Sequence, residues 1–161
     1  MQNLIFDEHG YLVPSEKITI DLATLEQVFV KDFPNSTTRK DLFDNYLRYI
    51  DAFAKEITPH FTQWINGSFV TKKEDPKDID FVTFIDVDLY DKKELIIDKF
   101  LSFSLEEKGL DAYILQIHPI NTKLYENYTL PNIELWHKRF SSTKKDKNAI
   151  AFPKGFIEIK F

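Results

Sequence analysis

The hydrophobic and polar positions divide the chain into short apolar runs and two longer helical stripes. Leu4-Ile5-Phe6 and Tyr11-Leu12-Val13 flank Asp7-Glu8-His9-Gly10. Turn residues between two apolar runs predict a small hairpin, which Pro14 closes. Asp21 is placed to cap a short helix with Leu22, Leu25, Val28 and Phe29 at i, i+3 and i+4 spacing, and Phe33-Pro34-Asn35-Ser36 breaks it. With Thr37 or Thr38 as cap, Leu42, Phe43, Tyr46, Leu47, Ile50, Phe53, Ala54 and Ile57 form one helical stripe that ends before Pro59. Thr62 to Asn66 is β-prone and runs into Gly67, so it reads as a strand entering a turn. Ile79 to Ile85 reads as a strand buried on both faces near its middle. Lys92 to Glu107 is predicted as a helix, with Gly109 where a C-cap glycine belongs. Ala112 to Ile117 reads as a strand. Asn121 to Phe140 is ambiguous, with a short helix expected from Leu130. Ser141 to Asn148 is a polar loop, and Phe156 to Phe161 closes the chain as an alternating strand.

The chain has 161 residues, the size of one domain, so a single domain over 1–161 is expected, large enough to bury a core. It has no cysteine, which excludes disulfides, thiolate zinc sites and a cysteine nucleophile, and which suits a reducing cytoplasm. The N-terminal residues lack the basic segment and apolar run of a signal peptide, and no apolar stretch is long enough to span a bilayer. The net charge of −5 argues against non-specific grip on a nucleic-acid backbone. Lys72-Lys73 and Lys144-Lys145 read first as solvated loop lysines.

The chemistry is concentrated in one order of residues. Gly67-Ser68 follows a strand, Asp78-Ile79-Asp80 opens the next, and Asp111 opens the one after that. In an extended strand, residues i and i+2 share a face, so Asp78 and Asp80 project together. Two carboxylates on one face of an apolar strand repel and desolvate poorly, and a cation resolves the conflict. Mg²⁺ takes oxygen ligands, commonly one or two carboxylates plus substrate phosphates. Asp111 begins the next strand and reads equally as a third carboxylate beside Asp78 and Asp80 or as an ordinary strand-start residue. Gly67 permits close backbone approach, and the exposed N–H groups of its turn, with the Ser68 hydroxyl, suit a phosphate. These parts match phosphoryl-type transfer, in which one carboxylate positions or deprotonates the acceptor.

Other candidates carry less. Asp86-Val87-Asp88-Leu89-Tyr90-Asp91 lacks the glycine and terminal glutamate of a calcium loop, and Asp91 reads instead as a helix cap. His9, His60, His118 and His137 show no paired metal-ligand spacing and read as surface or half-buried residues. Trp64 and Trp136 read as core. Ser68 lacks the following glycine of a nucleophile elbow.

Asn66-Gly67-Ser68-Phe69-Val70-Thr71 followed by Pro76-Lys77-Asp78-Ile79-Asp80-Phe81-Val82 resembles the Gly-Ser, Asp-x-Asp signature of the DNA polymerase β-like nucleotidyltransferase superfamily. It looks most like small bacterial nucleotidyltransferase-like proteins, with Gly10 to Pro14 and Arg39 matching their start loosely. The likeness covers about residues 9–117 and is specific from Gly67 to Asp80. It implies an α/β (α+β) fold with a mixed sheet flanked by helices. It also implies Mg²⁺ on Asp78, Asp80 and Asp111, and a nucleoside triphosphate whose phosphates lie at Gly67-Ser68. The acceptor implied is a protein hydroxyl, an RNA end or a small molecule. The chain departs from the family pattern after Ser68. Active members continue into a helix with a small residue and an arginine, whereas Phe69 to Asp75 has neither, so Lys72, Lys73 or Lys77 is left to supply the positive charge. A catalytically inactive nucleotide- or partner-binding module, within a bacterial toxin–antitoxin or defence pair, is the alternative.

Overall fold

Period-two alternation in the central strand sorts its side chains between two helical layers. The computed structural model describes residues 3–102, 105–145 and 147–161. A five-stranded mixed sheet is built from β3 (Lys17–Thr19), β4 (Thr62–Asn66), β5 (Ile79–Asp86), β6 (Leu110–Ile117) and β7 (Phe156–Lys160), in the order β3-β7-β4-β5-β6. β3 with β7 and β5 with β6 are parallel, whereas β4 is antiparallel to both of its neighbours. The expected mixed sheet flanked by helices is therefore present.

On one face, Ile79, Phe81 and Ile85 of β5 join Ile65, Leu110, Ala112 and Ile157 against the helices. The main partner is α2 (Arg39–Glu56), which buries Leu42, Phe43, Tyr46, Ile50 and Phe53 of the stripe read from the sequence and adds Tyr49, while Leu47 and Ala54 are half-buried. Polar atoms in this layer are satisfied: Tyr46 donates to Gln63 Oε1 at 2.6 Å, and Gln63 Nε2 donates to Thr83 Oγ1 at 2.8 Å. Phe53 is fully buried, so its truncation to alanine would cost about 3–5 kcal/mol. On the opposite face, Trp64, Val82, Leu115 and Phe156 pack with Ile133, Trp136 and Phe140 of α4 (Leu130–Phe140). Both tryptophans thus serve the core. Beyond the C-terminal end of α4 this face opens into a cleft.

The N-terminal hairpin pairs β1 (Ile5–Phe6) with β2 (Leu12–Val13). Asp7 Oδ1 holds its turn by accepting from the N–H groups of His9 and Tyr11. Asp21 caps α1 (Leu22–Glu26), accepting from Thr24 N at 2.7 Å, and the helix widens into a π turn over Gln27–Lys31.

Three local expectations are corrected. Thr38 occupies the cap position of α2 without a side-chain cap bond; Ser36 Oγ accepts from Arg39 N instead, at 3.2 Å. α3 runs over Val87–Ile97 rather than from Lys92 to Glu107, because Asp86, not Asp91, accepts the N–H groups of its first turn. Its early end has a partner in β6: the Ser102 hydroxyl donates to Ala112 O at 2.6 Å and to Asp111 Oδ1 at 2.9 Å, which draws the chain onto the strand. Phe103, expected on that helix, lies outside the described residues, as does Asp146 of the polar loop. Gly109, at φ +67°, follows only a short 3₁₀ turn over Glu106–Lys108. The strand at Lys17–Thr19 has no counterpart in the pattern reading, since its pairing with β7 spans almost the whole chain.

Candidate functional site

The cleft floor is a row of side chains across three strands. Asn66 at the end of β4 is paired with Asp80 near the start of β5, and Asp80 is paired with Asp111 near the start of β6. Directly paired residues share a face, so the three point into the cleft together. The cleft holds about 990 Å³ and is lined by all three, and by Gly67, Ser68 and Asp78. Six of the positions singled out from the sequence, Gly67, Ser68, Lys72, Asp78, Asp80 and Asp111, meet here. Lys77 is exposed and stands outside the lining.

Gly67 is at φ +77°, and a Cβ added there would lie 1.8 Å from Asp80 Oδ2. The carboxylate therefore occupies the volume that any side chain at 67 would need. Burial raises the Asp80 carboxyl from its ordinary 3.8 to about 6, reinforced by the charges of Asp78 and Asp111 and by a hydrogen bond with Asp111. Asp111 is oriented by the Ser102 hydroxyl. Asn66 is only 6% exposed, and its Oδ1 has no hydrogen-bond partner among the described residues.

The turn after Ser68 is irregular and is held by a residue far away in sequence. Arg39, fully buried at the start of α2, donates to the carbonyls of Phe29, Phe69, Thr71, Lys73 and Glu74. Its planar fork reaches acceptors that a lysine could not reach together. Burial lowers it to about 10, opposed by Glu74 and Asp75, so it stays charged at neutral pH. The hairpin forms the adjoining wall: Lys72 N donates to Gly10 O at 2.9 Å. The Lys72 ammonium itself lies over the Phe6 ring, 4.3 Å from its centroid.

The opposite wall supplies cations that the pattern reading missed. Lys154 is 6% exposed and donates to Gly67 O at 3.1 Å. Burial lowers its ammonium to about 8, opposed by the Asp80 charge and reinforced by the neighbouring Lys144. Lys144 and Arg139 also line the cleft, so Lys144 is more than a solvated loop residue. Strand parity could have found Asn66, which shares the face of Trp64 two residues earlier. Lys154 carried no such signal, because only the fold brings residues 154 and 67 together.

No group of three or more histidine, cysteine, aspartate or glutamate side chains among the described residues forms a ready metal cage. The donor set still fits Mg²⁺, which commonly uses one or two protein carboxylates and completes its shell with water and phosphate. Asp80 and Asp111 within hydrogen-bonding reach, with an unpartnered amide oxygen beside them, supply hard oxygen donors of that kind.

Fold and site together describe a mixed α/β sheet protein with a cleft at one end of the sheet, acidic at its floor and lined by lysines and an arginine around it. The chain matches the family of unknown function DUF6932 over residues 4–160, and it belongs to that family. No curated protein and no solved structure matches it. No helix among the described residues is long and apolar enough to cross a membrane.

Proposed function

We propose that the cleft binds a nucleoside triphosphate with Mg²⁺ and transfers its nucleoside monophosphate to an acceptor hydroxyl. The observation that carries this reading is the convergence of Asp78, Asp80 and Asp111 beside the Gly67-Ser68 turn. Asp78, Asp80 and Asp111 are the residues that would hold Mg²⁺, which when bound supplies charge neutralisation to the triphosphate. Lys144, Lys154 and Arg139 line the same cleft as these acids and suit the phosphate charge. Ser68 and the N–H groups of its turn suit phosphate oxygens. One carboxylate of the floor accepts the acceptor proton. The acceptor oxygen bonds to the α-phosphorus, the bond to the α–β bridging oxygen breaks, and pyrophosphate leaves with that electron pair. The acceptor class is a protein hydroxyl, an RNA end or a small molecule. The cytoplasm, which holds nucleoside triphosphates and Mg²⁺, is the compartment that goes with this reading.

A second reading has its own support. The segment after Ser68 is irregular, with Arg39 holding its carbonyls, so no helix N-terminus follows the turn. That arrangement favours a module that binds a nucleotide or a partner protein without turnover, of the kind found in bacterial toxin–antitoxin or defence pairs. Incubation with each radiolabelled nucleoside triphosphate, Mg²⁺ and cell lysate separates the two. Label transferred by the native protein and lost in Asp80→Asn supports the enzyme. Mg²⁺-dependent nucleotide binding without labelled product supports the module. Nucleotide affinity unchanged in an Asp78→Asn, Asp80→Asn double variant rejects the metal site at these carboxylates.

A further inference from the structure

Asn66 is a polar side chain in an unusual position. It is 6% exposed, it lines the cleft, and its amide oxygen meets no donor among the described residues. A buried oxygen without a partner loses the hydrogen bonds it made to water, so such atoms are rare unless something outside the chain satisfies them. The register sets its neighbour: Asn66 stands directly opposite Asp80, which stands directly opposite Asp111. Three oxygen-bearing side chains therefore form one line across β4, β5 and β6. Asp78 precedes β5 and lies outside that line.

The chemistry of the orphan favours a cation over a hydrogen-bond donor from the chain. Lys154, a buried ammonium lining the same cleft, donates to the neighbouring Gly67 carbonyl and not to Asn66 Oδ1. Asp80 and Asp111 offer acceptors or a shared proton, and two acids crowded together gain from a positive charge between them. Amide oxygens are ordinary ligands of hard divalent cations, to which they add coordination without adding negative charge.

We propose that Asn66 Oδ1 is a further ligand of the divalent cation held by the carboxylates of the floor, joining Asp80 and Asp111 along the cross-strand row. This rests on the reading of the cleft as a cation site and adds a residue to it. The neutral donor lets a third strand contribute to the site without a further carboxylate beside Asp80. It also fixes the position of the ion along the sheet, at the mouth of the Gly67-Ser68 turn.

The test uses the full chain and Mn²⁺ alone, without nucleotide, with free Mn²⁺ counted by electron paramagnetic resonance and folding followed by thermal unfolding. Native protein is expected to bind one Mn²⁺. Asn66→Ala is expected to weaken that binding by about tenfold or more with folding retained, in the range seen when supporting groups of a metal site are removed. Asn66→Asp keeps an oxygen at the same place and is expected to bind at least as tightly as native. Asp80→Asn is expected to abolish binding. Affinity in Asn66→Ala within twofold of native, while Asp80→Asn loses the ion, overturns the role of Asn66 and leaves the proposed function standing. Mn²⁺ affinity unchanged in Asp80→Asn overturns the cation site and with it the proposed function. If Asn66→Ala does not fold, Asn66→Asp decides: loss of Mn²⁺ from a folded Asn66→Asp overturns the inference.

Discussion

The backbone of Gly67 and the carboxylate of Asp80 compete for one volume, since a methyl group on Gly67 would sit 1.8 Å from Asp80 Oδ2. Gly67 is also at φ +77°, where side chains are strained. Gly67→Ala must therefore distort the turn, displace Asp80, or both. The expected loss is about 1–3 kcal/mol of stability from the backbone alone, together with loss of divalent-cation binding. Urea unfolding and Mn²⁺ titration of the variant measure the two effects, and native values in both would show that Asp80 moves aside freely.

Asp80 also sets a pH dependence. Its carboxyl is raised from 3.8 to about 6, so the folded chain holds the proton more tightly than the unfolded chain. The associated stability is fully present below about pH 4 and is lost as the pH rises through about 6. Asp80→Asn carries no charge at any pH and escapes that loss. It is expected to match the native protein near pH 4 and to exceed it at neutral pH by roughly 3 kcal/mol. Denaturant unfolding across this range checks it. Saturating Mg²⁺ at neutral pH should raise the native melting temperature and leave Asp80→Asn unmoved.

Arg39 ties the segment after Ser68 to α2 through bonds to the carbonyls of Phe29, Phe69, Thr71, Lys73 and Glu74. Arg39→Met removes all of these donors at once and is expected to cost roughly 3 kcal/mol or more. Arg39→Lys keeps the charge but supplies three donors from a single nitrogen, so it should recover only part of the loss. Hydrogen exchange localises the effect: amides in 69–75 should lose protection before those of β5. Equal loss throughout the sheet would mean that Arg39 supports the whole core rather than this turn.

Lys154 can be separated from the fold more gently. Its ammonium makes one bond to the protein, to Gly67 O, and is buried at a cost that lowers it to about 8. Lys154→Met keeps the length and removes the charge, so stability is expected to stay within about 1 kcal/mol of native. Affinity for a Mg²⁺–nucleoside triphosphate should fall about tenfold or more, the factor that 1.4 kcal/mol of lost phosphate attraction gives. Unchanged nucleotide affinity in calorimetry would assign Lys154 a purely structural place.

Patterns within short stretches fixed a good part of this molecule from its sequence alone. The stripe of α2, the Asp21 cap and the burial of β5 on both faces each depend on residues within a few positions of one another, and each was legible locally. Gly67, Ser68, Asp78 and Asp80 were legible for the same reason, because a turn and the strand after it keep their chemistry within fourteen consecutive residues. The start of α3 was misplaced because Asp86 and Asp91 are equally good caps locally, and packing chose between them. β3, the Arg39 clamp, the Lys154 wall and the row from Asn66 to Asp111 belong to the tertiary structure. Each joins segments separated by tens of residues, and pairing over that distance is decided by which buried surfaces fit once the sheet has formed, not by any propensity of the residues themselves.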